Sequence, residues 1–303
     1  MSWNLGWIGI FCFFIGCEGN TSHTSEASEQ TKNEARGGKL VAEGDSLPKR
    51  IISTAPNITE IIFALGGEAK LVARSQACDF PMEVEQFPIV KTYPELDLEQ
   101  IAFHKPDIIL TTDELFSSEQ IARMKSGEIP LYVQSYKSIP QILSGIKEIG
   151  EIVGEKVRAA NLMDSLQQVV DEFKNVRKGL TIYPKSVLIV GEDPLIIVGG
   201  GGYIHELMEL AGWSNAFRDK ELAYFQSTIE ELQWINPDVI FFPAGEESDI
   251  LERFEQFPLA KKLKAVQTQK VFKIPPDLIY RPGPRAFQGL KEFAKYRRDF
   301  IDG

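Results

Sequence analysis

Two stretches decide how this chain is read: "DLEQIAFHKPDIIL" at residues 97–110 and "TIEELQWINPDVIF" at residues 228–241. Each places a Glu in third position (Glu99, Glu230), then an apolar stripe, then Pro-Asp and a run of β-forming residues. Glu99 to Asp107 is eight positions, and Glu230 to Asp238 is again eight. The grammar is a short helix that ends at Pro and feeds a buried strand. Asp97 is placed to N-cap the first such helix, which runs to Phe103. A chain that writes this unit twice reads as two lobes of similar build.

The flanking sequence extends the pattern on both sides. "RIISTA" (50–55), "KLVARS" (70–75), "FPIVKTY" (87–93), "IILTT" (108–112) and "PLYVQSY" (130–136) read as strands. Asn57 and Glu60 have capping-box spacing. Ile58, Ile61, Ile62 and Leu65 make one helix face, which Gly66-Gly67 stops. A further helix is expected near 117–126. In the second half "SVLIVGED", "LIIVGG", "DVIFFPA" and "KVFKIP" read as strands. "YIHELMELAGW" and "AFQGLKEFAKYRRDF" read as helices, with the segment "ILERFEQF" (250–257) between them.

Residues 155–178 contain neither Gly nor Pro. Leu162, Leu166, Val169, Phe173 and Val176 form a single seam. At 1.5 Å per residue this helix is about 36 Å long. The seam lasts about two heptads, short of the three or four of a coiled coil. A rod joining two lobes fits better than a dimerisation helix. The expected division is a signal segment 1–16, a tether 17–47, an N-terminal α/β lobe 48–150, a connecting helix 151–180 and a C-terminal α/β lobe 181–303. The fold class is thus α/β, two Rossmann-like lobes on one long helix with a cleft between them, and inter-domain clefts are frequent small-molecule sites.

The 303 residues carry a net charge of −10 and are 43% hydrophobic and 25% charged. That composition is globular, and the acidity excludes a nucleic-acid partner, which needs a basic face. Residues 1–16 are uncharged, apolar and short for a bilayer span, as a secretory signal is. "FFIGC" (13–17) has the form of a lipobox, in which Cys17 is acylated; an uncleaved apolar anchor is the alternative. Residues 18–46 have no periodicity and too few apolar groups to fold, so a disordered tether is expected. Cys12 leaves with the signal and Cys17 takes lipid, so Cys78 has no disulfide partner.

"RIISTAPNITEIIFALG", "CDFP", the two repeat copies and "YRPGPR" (280–285) together resemble the helical-backbone substrate-binding proteins of bacterial ABC importers, closest to the cobalamin-binding branch. The resemblance runs from about Arg50 to the C-terminus. It implies an exported, periplasmic, membrane-anchored lipoprotein. This protein, a monomer, would deliver a metallo-ligand to a permease dimer with its ATPase subunits. Cobalamin leads, with haem or a ferric siderophore as alternatives. No cofactor of the protein's own is implied.

The resemblance also assigns residues. Glu99 and Glu230 become the two carboxylates that dock on permease arginines, whereas on helix chemistry alone each is a first-turn Glu favoured by the dipole. Tyr93 and Tyr224, six residues before each docking Glu, become aromatic walls of the cleft, for which core packing is the alternative. Tyr93 or Tyr224 could also be an axial haem ligand. Ala77, Thr112 and Ile196 fall at cleft positions. Cobalamin-binding relatives carry aromatics at the first two, so the cleft here is expected to be roomier. Arg281, in a loop stiffened by Pro282 and Pro284, becomes the polar anchor, with solvent exposure as its alternative. Arg285 is expected to cap or pair within the last helix.

Other chemistries find little support in the residues. "GGGG" at 199–202 lacks the Lys-Ser/Thr of a phosphate loop and reads as a tight strand-to-helix turn. His205-Glu206 has no second His at zinc spacing. The three histidines, His23, His104 and His205, are too scattered for a metal receptor. An enzyme would need a nucleophile elbow, an acid/base pair centred on His or a dinucleotide fingerprint, and none is written here.

Overall fold

A computed structural model describes residues 46–92, 96–127, 129–244 and 259–302. The signal segment, Cys17, the tether to residue 45, Tyr93 and the segment 250–257 lie outside the described residues. The first lobe is a parallel sheet of order β3-β2-β1-β4-β5, built from β1 (Ile51–Ser53), β2 (Leu71–Ser75), β3 (Ile89–Val90), β4 (Ile108–Thr112) and β5 (Leu131–Gln134). β1 and β4 are buried along their whole length, as parallel strands covered on both faces are. The strands are shorter than the apolar runs that announce them: Ala55 turns away to start α1 (Pro56–Ala64), and edge strand β3 keeps only two residues of "FPIVKTY".

The second lobe contains β6 (Lys185–Glu192), β7 (Leu195–Val198), β8 (Ser214–Asn215), β9 (Tyr224–Gln226), β10 (Val239–Pro243) and β11 (Val271–Ile274). Its order is β11-β10-β6-β7-β9, with β8 beside β6. β11, β10, β6 and β8 run parallel, whereas β7 and β9 are antiparallel additions.

The doubled sequence folds into the same clasp twice. α2 (Leu98–Phe103) and α7 (Ile229–Ile235) each begin at a side-chain cap, Asp97 accepting from Gln100 N–H at 2.9 Å and Thr228 from Glu231 N–H at 3.2 Å. Each buries one residue, Ile101 or Leu232. After the Pro, Asp107 Oδ2 accepts from the backbone N–H of Lys49 and Arg50 at 2.7 and 3.0 Å, and Asp238 Oδ2 from that of Lys185 at 2.9 Å. The side chains of Arg50 and Lys185 then donate to terminal carbonyls of α2 and α7. The clasp ties the helix end and the new strand to the start of the central strand, satisfying carbonyls that a helix end leaves open. The shared eight-residue spacing is therefore a requirement of local structure.

The connecting helix is α5 (Lys156–Lys178), unbroken over 23 residues. The sequence reading has no helix directly before it, yet α4 (Ile139–Val153) is there, capped by Ser138 and with Pro140 in its first turn. Gly154, at φ 78°, turns α4 into α5 in the left-handed region where a Cβ is penalised. The two helices pack on each other, α4 also on α1 and α5 on α6 (Tyr203–Leu210). The buried line on α5 is Ala159, Leu166 and Val170. Val176, read as part of the seam, is 61% exposed, and Arg177 turns inward instead to pair with Glu209. One apolar core runs from Ile51 and Ile58 through Ile142, Ile149 and Leu166 to Leu207, Trp213 and Phe293 of α9 (Ala286–Asp302), so the lobes share an interior.

The capping box expected at Asn57 and Glu60 is not formed. α1 starts at Pro56 after Ala55, with no side-chain cap. Ala55, at the capping position, has no side-chain oxygen to accept from the first-turn N–H groups. Both residues reach the other lobe instead: Asn57 Nδ2 donates to Pro282 O at 3.3 Å, and Glu60, buried, holds Arg281 and Arg285.

Candidate functional site: the cleft between the lobes

The first lobe contributes to the cleft from the carboxyl ends of its strands, where α/β sheets place ligands. β4 runs out into Asp113-Glu114, and β5 leads to Lys137. The second lobe contributes the glycine turn after β7, Tyr203 and Ile204 at the start of α6, and residues 221–224 leading into β9. Glu114, Lys137, Gly201, Tyr203, Leu222 and Tyr224 are among the walls of a cavity of about 250 Å³.

The glycine turn works by close approach. A Cβ on Gly199, Gly200 or Gly201 would overlap the carbonyl oxygens of Leu222, Arg218 and Glu221 respectively. Their N–H groups donate to Ala223 O, Lys220 O and Leu222 O at 3.0, 2.7 and 3.2 Å. Those three donors are spent inside the protein, so Gly199, Gly200 and Gly201 hold residues 218–223 against β7.

Glu114 stands open to the water of the cleft while protein surrounds it on most sides. That desolvation, reinforced by the Asp113 carboxylate and opposed by Lys137, pushes its carboxyl up to about 7. Tyr224 is half-buried in the opposite wall, and burial, with Glu114 and Tyr280 adding, keeps its phenol protonated well above the ordinary range. Behind it Tyr203 is fully buried and donates to Ile279 O, and Tyr280 donates to Val190 O at 3.4 Å.

Of the cleft residues read from the sequence, Tyr224 lies in the wall. Thr112 ends β4 at 5% exposure, two residues before Glu114, and Ile196 is enclosed in β7 opposite Gly191 and Gln226. Ala77 is exposed beside buried Cys78. Arg281 is neither in solvent nor in the cavity wall. Its side chain is 11% exposed, and the guanidinium pairs with Asp79 at 2.5 Å and with Glu60 and Asp277 at 3.1 Å each. Arg285 does not pair within the last helix; its side chain crosses to Glu60 at 2.6 Å, with Asp277 at 3.7 Å, and lies 4.0 Å from the ring centroid of Phe80. Burial works to raise the Asp79 carboxyl, and Arg281 outweighs it, holding Asp79 below the usual carboxylate range. This network joins α1 and its lobe to the loop before α9. A second tie is Glu206, whose Oε2 accepts from Ile139 N–H at 2.7 Å, so the residue beside His205 caps α4.

Glu99 and Glu230 are exposed in the first turns of α2 and α7, with no ion pair among the described residues. Those residues hold no cluster of His, Cys, Asp and Glu fit for a metal ion, and no helix long and apolar enough to cross a membrane. Sequence reading missed Glu114 and Lys137. The signal was available, since both follow the carboxyl end of a strand, but a polar residue after a strand is too common to single out.

Residues 51–278 match the family described as periplasmic binding protein. The chain belongs to that family. An uncharacterized ABC transporter substrate-binding lipoprotein of Bacillus subtilis, YvrC, is 28% identical over 82% of this chain and 79% of its own. The vitamin B12-binding protein of Vibrio cholerae is 28% identical over 82% and 88% respectively. Among solved structures, the periplasmic heme-binding protein RhuT of Roseiflexus sp. RS-1 superposes with a TM-score of 0.73 at 21% identity, covering 83% of this chain and 98% of its own. Substrate-binding proteins of this family work with ABC transporter permeases.

Proposed function

We propose that this protein captures cobalamin or a related corrinoid between its lobes and delivers it to an ABC importer. The observation that carries the ligand class is the relation to the Vibrio cholerae vitamin B12-binding protein, read with a cleft walled by Tyr224 and an exposed Leu222. A broad ligand with apolar faces wants an aromatic ring and an aliphatic lip, with few polar anchors. The small cavity would hold one edge of such a ligand. Glu114, changing charge near neutrality, and Lys137 supply polar contacts beside it. The protonated Tyr224 phenol suits a hydrogen-bonding wall more than an anionic ligand to haem iron.

The test is a visible-spectrum titration of the full-length protein with cyanocobalamin, haemin and a ferric siderophore in turn. One-to-one saturation by cyanocobalamin, with the ligand recovered unchanged, is the expected result. Tyr224→Ala should weaken it about tenfold or more without altering the far-ultraviolet circular dichroism. Saturation by haemin alone would move the assignment to haem.

We propose also that the chain is held at a membrane through lipid on Cys17, the residue that follows the apolar segment. Cys17→Ser is expected to release the protein to the soluble fraction. Retention of the variant in membranes, still carrying residues 1–16, would make that segment the anchor.

A further inference from the structure

The two clasps share a feature that their folding does not use. Four residues after Glu99 stands Phe103, and four after Glu230 stands Trp234. These are the most exposed large apolar side chains among the described residues, at 81% and 84%. On each helix the residue two after the Glu, Ile101 or Leu232, is fully buried and seats the helix on its lobe. The i, i+4 spacing therefore puts carboxylate and ring on one outward face. Among the described residues neither Glu has an ion partner, and the only ring contact formed by either aromatic is that of Phe103 with His104 beside it. An isolated exposed apolar residue is ordinary. A large aromatic at the same offset in both copies of a repeat, Phe in one and Trp in the other, each beside a carboxylate with no ion partner among the described residues, is not accounted for by chance exposure.

We infer that Phe103 and Trp234 extend the two docking carboxylates that the family resemblance implies, Glu99 and Glu230, into equivalent knobs, each ring seating in a matching pocket of a two-fold partner, the importer permease dimer. The inference rests on the transport reading above and deepens it: docking here is aromatic as well as ionic. The chemistry that fits each knob is a guanidinium lying against both the carboxylate and the ring face. Charge favours that occupant over lipid, because the knobs are acidic and the chain carries −10, which anionic headgroups repel. Duplication favours it over a second copy of this chain, because two like knobs on one molecule match two like pockets on a symmetric dimer. Trp and its aromatic kin, ringed by weaker contacts, commonly dominate such interfaces.

The test uses the full-length protein and nanodiscs holding the permease–ATPase complex that supports cyanocobalamin uptake with it. Phe103→Ala and Trp234→Ala are each expected to weaken nanodisc binding at least about tenfold, with unchanged melting temperature and unchanged cyanocobalamin titration. Trp234→Phe should restore most of the loss. Full-strength binding by both alanine variants, while Glu230→Ala binds weakly, would overturn the aromatic inference and leave the transport reading standing. Failure of the wild-type protein to bind any such complex would overturn both. Binding to empty vesicles of anionic lipid, or self-association in sedimentation, either one abolished by Trp234→Ala, would give the rings a different occupant and overturn the inference as well.

Discussion

Glu60→Ala is expected to cost about 3 kcal/mol of stability, the lower part of the range for removing one partner from a buried ion pair. Glu60 is 3% exposed and takes Arg281 at 3.1 Å and Arg285 at 2.6 Å. Among the described residues its loss leaves Arg285 with one ion partner, Asp277 at 3.7 Å, beside the Phe80 ring, and Arg281 with Asp79 and Asp277. In a protein of this size that corresponds to a fall in melting temperature of roughly 6 °C. Differential scanning calorimetry checks it. A fall below about 2 °C would show that the network is dispensable. Replacing both Glu60 and Arg285 by apolar residues, Glu60→Leu with Arg285→Met, should cost less than Glu60→Leu alone, because no charge is then stranded. Asp79 adds an acid limb to the same experiment. Its carboxyl is held below the usual range in the folded protein. It therefore contributes stability above the unfolded-state value, and that contribution drains away as pH falls through the folded one. Asp79→Asn should flatten stability below about pH 4.

The network also marks how far sequence reading could go. The two lobes, their joining helix and the clasp residues were legible, because each is written as a local pattern: a cap, an apolar step of three or four, a Pro, a β run. Asp97 caps and Gly66 follows α1 as those rules require. Arg281 was picked out by its stiff loop, but its partners Glu60 and Asp79 lie about two hundred residues earlier, and no local pattern announces a pair at that separation. The same distance misled the reading of Glu60 as a cap and of Arg285 as a helix-bound residue. α4 went unread although Ser138 and Pro140 mark its start, because Gly145 and Gly150 interrupt its pattern. Both glycines are packing devices, a Cβ on the first meeting the Tyr136 ring and on the second the Ala159 side chain. In the cleft Tyr224 was found through resemblance, whereas Glu114 and Lys137 become visible only when the two sheets are placed face to face.

Gly201→Ala is expected to injure stability and ligand capture together. The added methyl would run into the carbonyl of Glu221, a backbone atom that cannot swing aside. Residues 220–223 are fastened to the turn by the N–H groups of Gly199, Gly200 and Gly201, so the strain must push the whole segment outward. Overpacking of this kind costs about 1–3 kcal/mol. The displaced residues are Leu222, Ala223 and the approach to Tyr224, which form one wall of the cleft. A wall shifted by about 1 Å loses contacts that a bound ligand cannot recover by rotamer changes, so affinity for cyanocobalamin should fall at least about tenfold. Gly179→Ala is the control. Its Cβ would sit 3.5 Å from the nearest atom, Val176 O, an ordinary contact at the exposed end of α5, and it should leave both melting temperature and titration unchanged. A Gly201→Ala protein that melts and binds as the wild type does would mean that the segment yields freely, and the four consecutive glycines would then need an explanation other than the closeness of the chain they touch.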